Sequence, residues 1–190
     1  MSPRAGLSAP AVVDAALAVV DELGADRLSL ARIAERTGVA TPSLYKHVDG
    51  LPALRRLVTL RVLAEFTETV RDAVVGRSGA DGVRALMHAY RDYIRSYPHR
   101  SVFVEPAPAP GDVEAQAAGA AAVGVLFAVL RGYGLDGPAA VPAARCLRSA
   151  VHGFSSLEAN GGFGLPVDID ASFDDLVTMV TAGLAAMTTR

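Results

Sequence analysis

The chain has 190 residues, 51% of them hydrophobic and 20% charged, with a formal net charge of −2. A chain of this size buries a core without disulfide or metal staples and is too apolar for long disorder. It also lacks the cation excess of a protein that coats nucleic acid, although a local basic face stays open. The single cysteine, Cys146, leaves no intramolecular disulfide and no thiolate metal cluster, and it fits a reducing cytoplasm. No targeting segment stands out: the apolar run 9–20 is interrupted by Asp14 and lacks a basic region with a following cleavage site. The longest apolar run, 117–130, falls short of the roughly 20 residues that span a bilayer and reads as a buried helix. A cytoplasmic chain with no membrane partner is the expectation.

Apolar residues recur at helical spacing almost throughout, with Gly and Pro between the periodic stretches, so the expected fold is all-α with about nine helices. A first helix over 8–23 is capped by Ser8, carries Pro10 in its first turn and ends at Gly24. Ser29 starts a short second helix that stops at Thr37-Gly38. Thr41 caps a very short third, with Pro42 at its first position. A long fourth helix covers 50–75. The fifth covers 81–97, with Val83, Leu86, Met87, Tyr90, Ile94 and Tyr97 on one face and Pro98 as its stop. Alternating prolines over 105–111 exclude regular helix. Further helices are expected over 112–132, 138–160 and 171–187. The domains expected are 1–49 as a helix-turn-helix unit, 50–75 as a connecting helix and 76–190 as a second helical domain.

The segment 28–48, LSLARIAERTGVATPSLYKHV, has two short helices around a tight turn with Gly38, which is the grammar of a three-helix helix-turn-helix domain. Ile33, Ala34, Val39, Leu44 and Val48 clamp the pair inward, leaving Thr41, Pro42, Ser43, Tyr45, Lys46 and His47 to face out. That face has hydroxyls, a phenol, an imidazole and one ammonium, and no carboxylate. It suits phosphate oxygens and base edges in a major groove. Over 1–48 the cations Arg4, Arg27, Arg32, Arg36 and Lys46 are balanced by Asp14, Asp21, Glu22, Asp26 and Glu35. One copy is therefore a weak electrostatic binder. A two-fold dimer on an inverted repeat doubles the phosphate contacts.

At Leu44-Tyr45-Lys46-His47-Val48 the sequence resembles the TetR family of bacterial transcriptional regulators. Ala15-Ala16, Gly24, Leu28-Ser29-Leu30, Ile33-Ala34 and Gly38-Val39 carry the likeness over 8–66. The resemblance implies base or nearby phosphate contacts for Thr41, Ser43 and Tyr45, and backbone contacts for Lys46 and His47. It also implies a second helix, begun by Ser29 and Arg32, that abuts the DNA backbone, and an N-terminal arm from which Arg4 reaches a phosphate or the minor groove. The family's usual lysine at the start of the fourth helix is replaced by Leu51, followed by Pro52, with Arg55 or Arg56 as candidate substitutes.

Residues 147–164, LRSAVHGFSSLEANGGFG, with Asp170 and Phe173, resemble a TetR-type C-terminal domain of the His-Gly and Leu-Glu kind. The resemblance implies ligand sensing in this half and dimerisation through the last two long helices. Leu147, Val151, Phe154 and Leu157 on one, and Phe173, Leu176, Val177, Val180 and Leu184 on the other, are the candidate interface; an ordinary core stripe has the same spacing. Tyr90, Tyr93, Ile94, Phe103, Phe127 and His152 are the candidate pocket for an unidentified small-molecule effector.

Enzymatic chemistry finds no support. The four histidines have no metal-ligand spacing, Cys146 sits on a helix expected to face the core, and the glycines at 161–164 follow a helix, not the strand a dinucleotide loop needs. No cofactor and no metal are expected. The reading is a homodimeric repressor of double-stranded DNA, released by its effector. The competing reading is a helical interaction protein with a vestigial helix-turn-helix.

Overall fold

The computed structural model describes residues 7–105 and 107–187. Among them there are nine α-helices, three 3-10 turns and no strand. The chain divides into two compact units, Met1–Val62 with His99–Pro106, and Leu63–Pro98 with Ala107–Arg190. The division falls inside a continuous helix and makes the first unit from two stretches of chain.

The first unit opens with α1, Ala9–Leu23, where Ser8 accepts from the Ala11 N–H at 3.3 Å and Gly24 at φ 90° ends the helix. After a 3-10 turn over Ala25–Arg27, α2 (Leu30–Thr37) begins with the Ser29 hydroxyl accepting from the Arg32 N–H at 3.4 Å. Its end at Gly38, φ 68°, is the left-handed conformation that a side chain would strain. The third helix, α3, is one turn, Thr41–Leu44. Ala40 is its N-cap and Thr41 its first residue, with no side-chain cap, so the capping role expected of Thr41 is not there. Tyr45, Lys46 and His47 follow in a turn held by His47 N–H on the Leu44 carbonyl at 2.9 Å, so the helix expected to carry them stops short. Next comes α4, Gly50–Val74. The 3-10 turn Pro98–Arg100 and α6, Ser101–Val104, complete the unit with a short element that helical periodicity did not reveal. Val12, Ala16, Val20, Ile33, Leu44, Leu54 and Val58 are fully buried and form the core.

The second unit contains the C-terminal part of α4, then α5 (Gly79–Ser96), α7 (Val113–Leu130), α8 (Gly137–Ala159) and α9 (Ile169–Met187). Asp112 caps α7 by accepting from the Ala115 N–H at 3.0 Å. A Cβ on Gly132, in the 3-10 turn after α7, would run into the Gly79 backbone nitrogen, so only glycine allows that approach. α5 packs against α7, α8 and α9. At its centre Arg91, 4% exposed, donates from Nε and Nη2 to Glu158 of α8 at 2.7 and 2.6 Å, and Nη2 lies 2.7 Å from Asp170 of α9. Its guanidinium sits 4.6 Å from the Phe173 ring centroid. Hydrogen bonding to Glu158, more than to Asp170, raises the Arg91 pKa and keeps the cation charged against the pull of burial.

Two expectations fail here. α7 with its following turn, Val113–Tyr133, is 21 residues long and, by length and composition alone, long and apolar enough to cross a membrane. Nor is it a buried helix: only Ala115, Val125, Val129 and Leu130 are buried along α7. It is apolar all round, so packing on α5 and α8 leaves its other faces exposed. Cys146, expected to face the core, is exposed.

Candidate nucleic-acid interface

The face predicted for DNA is assembled by the one-turn α3 and the turn after it. Leu44 and Val48 point into the core, which turns the residues between them outward. Tyr45 is 57% exposed, Pro42 and Lys46 are exposed, and Thr41, Ser43 and His47 are half-buried. Arg32 of α2 is exposed, whereas the Ser29 hydroxyl is committed to its cap. Arg4 lies outside the described residues. Arg55 donates to the Ala25 carbonyl at 2.9 Å, which ties α4 to the turn after α1 and occupies one of the two guanidiniums, Arg55 and Arg56, offered as substitutes for the family lysine.

The balanced charge of this region resolves into two populations. Glu22 pairs with Arg36 at 2.6 Å, Asp14 with Arg61 at 2.8 Å and Asp21 with Arg100 at 2.7 Å. Three carboxylates are thereby matched by guanidiniums off the 41–47 face. Arg27, Arg32 and Lys46 form no ion pair among the described residues. A side-chain hydrogen bond from Arg36 lowers the Glu22 pKa and raises that of Arg36, so this pair stays ionised. Asp26 and Glu35 form no ion pair either, so the unpaired cations of this region exceed its unpaired carboxylates by only one among the described residues.

In the second unit the predicted pocket residues separate. Tyr90, Tyr93 and Ile94 of α5 are buried, Phe127 of α7 and His152 of α8 are half-buried, and Phe103 belongs to α6 of the first unit. Tyr90 Oη and His152 Nδ1 lie 2.9 Å apart in a hydrogen bond whose proton position follows the imidazole tautomer. Phe66 packs edge-on against Tyr90 and Tyr93, at 4.9 and 5.3 Å between centroids. Tyr93 also reaches the wall of a cleft of about 520 Å³ between α4 and α5, which Glu65, Glu68, Asp72, Asp92 and Tyr97 line as well. The acidic residues of this cleft went unremarked in the sequence. They sit on the outer face of two helices whose inner faces dominated the pattern.

The candidate interface residues divide. Leu147, Val151, Phe173, Val177 and Leu184 are buried within the protomer, against α5 and each other's helices, and have no surface to offer a second copy. They are core, so the subunit contact expected of them does not hold. Leu157 is 53% exposed, and Phe154, Leu176 and Val180 are half-buried. Met179, 63% exposed, is an addition. Arg91 was also missed, although a charged residue between Tyr90 and Ile94 on an apolar face was a readable signal.

Residues 12–47 match the family model described as bacterial regulatory proteins, tetR family, and residues 83–180 match the tetracyclin repressor-like C-terminal domain. The HTH-type transcriptional regulator Rv0681 of Mycobacterium tuberculosis is 39% identical over 98% of this chain and 85% of its own length. YobS of Bacillus subtilis, of the same description, is 31% identical over 97% of this chain and 96% of its own. The class D tetracycline repressor of Escherichia coli is 37% identical over 46% of this chain and 43% of its own length. Among solved structures, the regulatory protein SCO4313 superposes with a TM-score of 0.74 at 25% identity, over 90% of this chain and 94% of that one. ActR of Streptomyces coelicolor, solved with (S)-DNPA, shares the fold with a TM-score of 0.68 at 21% identity, over 96% of this chain and 98% of that one. The two family-model matches, together with a relative 39% identical over nearly the whole chain, make this chain a member of the TetR family, a DNA-binding transcriptional regulator and not an enzyme.

Proposed function

We propose that the chain is a homodimeric repressor that occupies an inverted-repeat operator in the cytoplasm and leaves it when a small-molecule effector binds the second unit. The observation that carries this reading is the 41–47 face: Tyr45 and Lys46 stand exposed beside Pro42, with no carboxylate among them. Lys46 supplies the charge for a phosphate. Thr41, Pro42 and Ser43 present methyl, methylene and hydroxyl groups to base edges. Residues 1–49 read the DNA, 50–75 connect and 76–190 bind effector and partner. The second copy docks on the exposed side of α8 and α9, through Leu157, Leu176, Val180 and Met179. Doubling the phosphate contacts offsets the modest charge of one protomer.

Tyr90, Tyr93, Phe127 and His152 receive the effector. The Tyr90–His152 pair is a polar handle among aromatic rings, which suits an amphipathic small molecule. Four carboxylates at the adjoining cleft repel an anion, so a neutral or cationic effector fits better. Support comes from the tetracycline repressor relative and from the ligand-bound ActR of the same fold. The test is selection of the purified chain against random duplex DNA, beside a Tyr45→Ala/Lys46→Ala variant. An enriched inverted repeat, absent with the variant, is expected. No enrichment from a folded dimer at low salt overturns the reading in favour of a vestigial helix-turn-helix.

A further inference from the structure

Between Glu114 and Arg131 the sequence of α7 carries no charged residue, and only Ala115, Val125, Val129 and Leu130 of the helix are buried. These mark the side packed on α5 and α8. On the opposite side Val113, Ala117, Ala120 and Gly124 are exposed, Val113 by 75%, at spacings of four, three and four residues. The same rhythm runs on through half-buried Phe127 to exposed Arg131. Alternation of three and four is the seam of a coiled coil, a geometry that calls for a second helix. The proline segment before α7 lies to one side of this seam: Pro108 is the neighbour of Gly119, and the Ala109 carbonyl accepts from the Gln116 amide at 3.2 Å.

A contiguous exposed apolar surface marks an association face, and the ends of the helix say what it takes. Glu114 flanks the start of the seam and Arg131 lies at its end, about 26 Å away at the rise of an α-helix. A copy of α7 laid antiparallel across a two-fold axis brings each Arg131 beside the partner's Glu114. In that register, centred on Ala122, Ala120 meets the partner's Gly124, and residues this small let the two backbones approach closely. Parallel packing sets like charge on like at both ends. We infer that the α7 seam is a self-association face, on which a second copy of this chain docks its own α7 antiparallel. It is separate from Leu157, Leu176, Val180 and Met179 of α8 and α9. With both faces in use, dimers pair into tetramers; that stoichiometry rests on the dimer reading above, whereas the seam itself does not.

The experiment is sedimentation equilibrium of the full chain across the micromolar range, with folding checked by helical circular dichroism. Wild type is expected to reach a tetramer. Ala120→Glu puts a carboxylate at the centre of the seam, at an exposed position where glutamate is a good helix former, and is expected to stop at the dimer. Leu157→Glu, on the other face, is also expected to stop at the dimer, and the two together at the monomer. Arg131→Glu is expected to weaken the tetramer about tenfold, because two attractions become repulsions, and adding Glu114→Arg is expected to recover it. That recovery reads the antiparallel register, which lost apolar surface alone does not. Assembly unchanged in folded Ala120→Glu overturns the inference; flotation of wild type with phosphatidylcholine–phosphatidylglycerol vesicles then assigns the face to lipid. No recovery in the charge exchange overturns the register. A dimeric wild type that Ala120→Glu makes monomeric and Leu157→Glu leaves intact removes the α8–α9 reading and keeps the seam.

Discussion

In the DNA-binding unit the charged side chains pair mostly along the rim, with Glu22–Arg36 and Asp14–Arg61 both in solvent. In the second unit one cation, Arg91, lies 4% exposed in the interior, with Glu158 13% exposed against it. Rim pairs cost little to form and little to lose, so they tie α1 to α2 and α4 while leaving the 41–47 face uncommitted. A buried pair is costly to break, and it fixes which residues of α5, α8 and α9 face one another. The contrast teaches where each unit takes its definition. The first relies on local signals, a small core and one part-buried pair, Arg100–Asp21, whereas the hub of the second has both partners more deeply buried.

The largest expected effect follows from that hub. Arg91→Met removes both short bonds to Glu158, leaving only the Arg95 guanidinium 3.8 Å away among the described residues, and should cost about 3 kcal/mol in urea unfolding. Adding Glu158→Leu should recover much of the loss, because two apolar side chains then replace the pair. If the single variant costs under about 1 kcal/mol, the comparison between the units collapses. Gly38→Ala comes next. It forces a side chain into φ 68° and should cost about 1 kcal/mol in the same assay. Ser29→Ala removes the α2 cap, with a cost near 1 kcal/mol expected, and Ser29→Asp should retain stability. Arg61→Ala, at a pair half in water, should cost roughly 0.5 kcal/mol or less.

The smallest effect is a pH dependence. Arg36 holds the Glu22 pKa below its ordinary value in the folded chain. The stability this contributes is present above the ordinary carboxylate range and is lost as pH falls through the lowered folded value. Thermal melts of Glu22→Gln against wild type should therefore differ slightly at neutral pH and converge in acid. A difference that widens in acid would contradict the assignment.

What was legible in the sequence follows the same division. Ser8 caps as expected, Ser29 and Asp112 prove to cap the helices expected to begin with them, and Gly24 and Gly38 end helices, because capping acts over three or four residues. The short elements over 98–104 were invisible, since a three-residue turn and a four-residue helix are too short to show a period. The Arg91–Glu158 pair joins positions 67 residues apart, which no local pattern encodes. Apolar spacing marked Leu147, Val151, Phe173 and Val177 as an inward stripe but said nothing of what covers it, and α5 does. In α7 every face is apolar, so no periodicity could tell the packed side from the exposed one. The 41–47 face was legible because it is contiguous, though its helix is shorter than expected.

The most direct measurement is a titration of the enriched operator and of a scrambled duplex, at about 0.15 M salt, with wild type and with Tyr45→Ala/Lys46→Ala. The account predicts that wild type binds the operator at least about 10³-fold more tightly than the scrambled duplex. It further predicts that the folded variant loses that preference. Equal wild-type affinity for both duplexes, or a variant that keeps the preference, would contradict the assignment of sequence recognition to the 41–47 face.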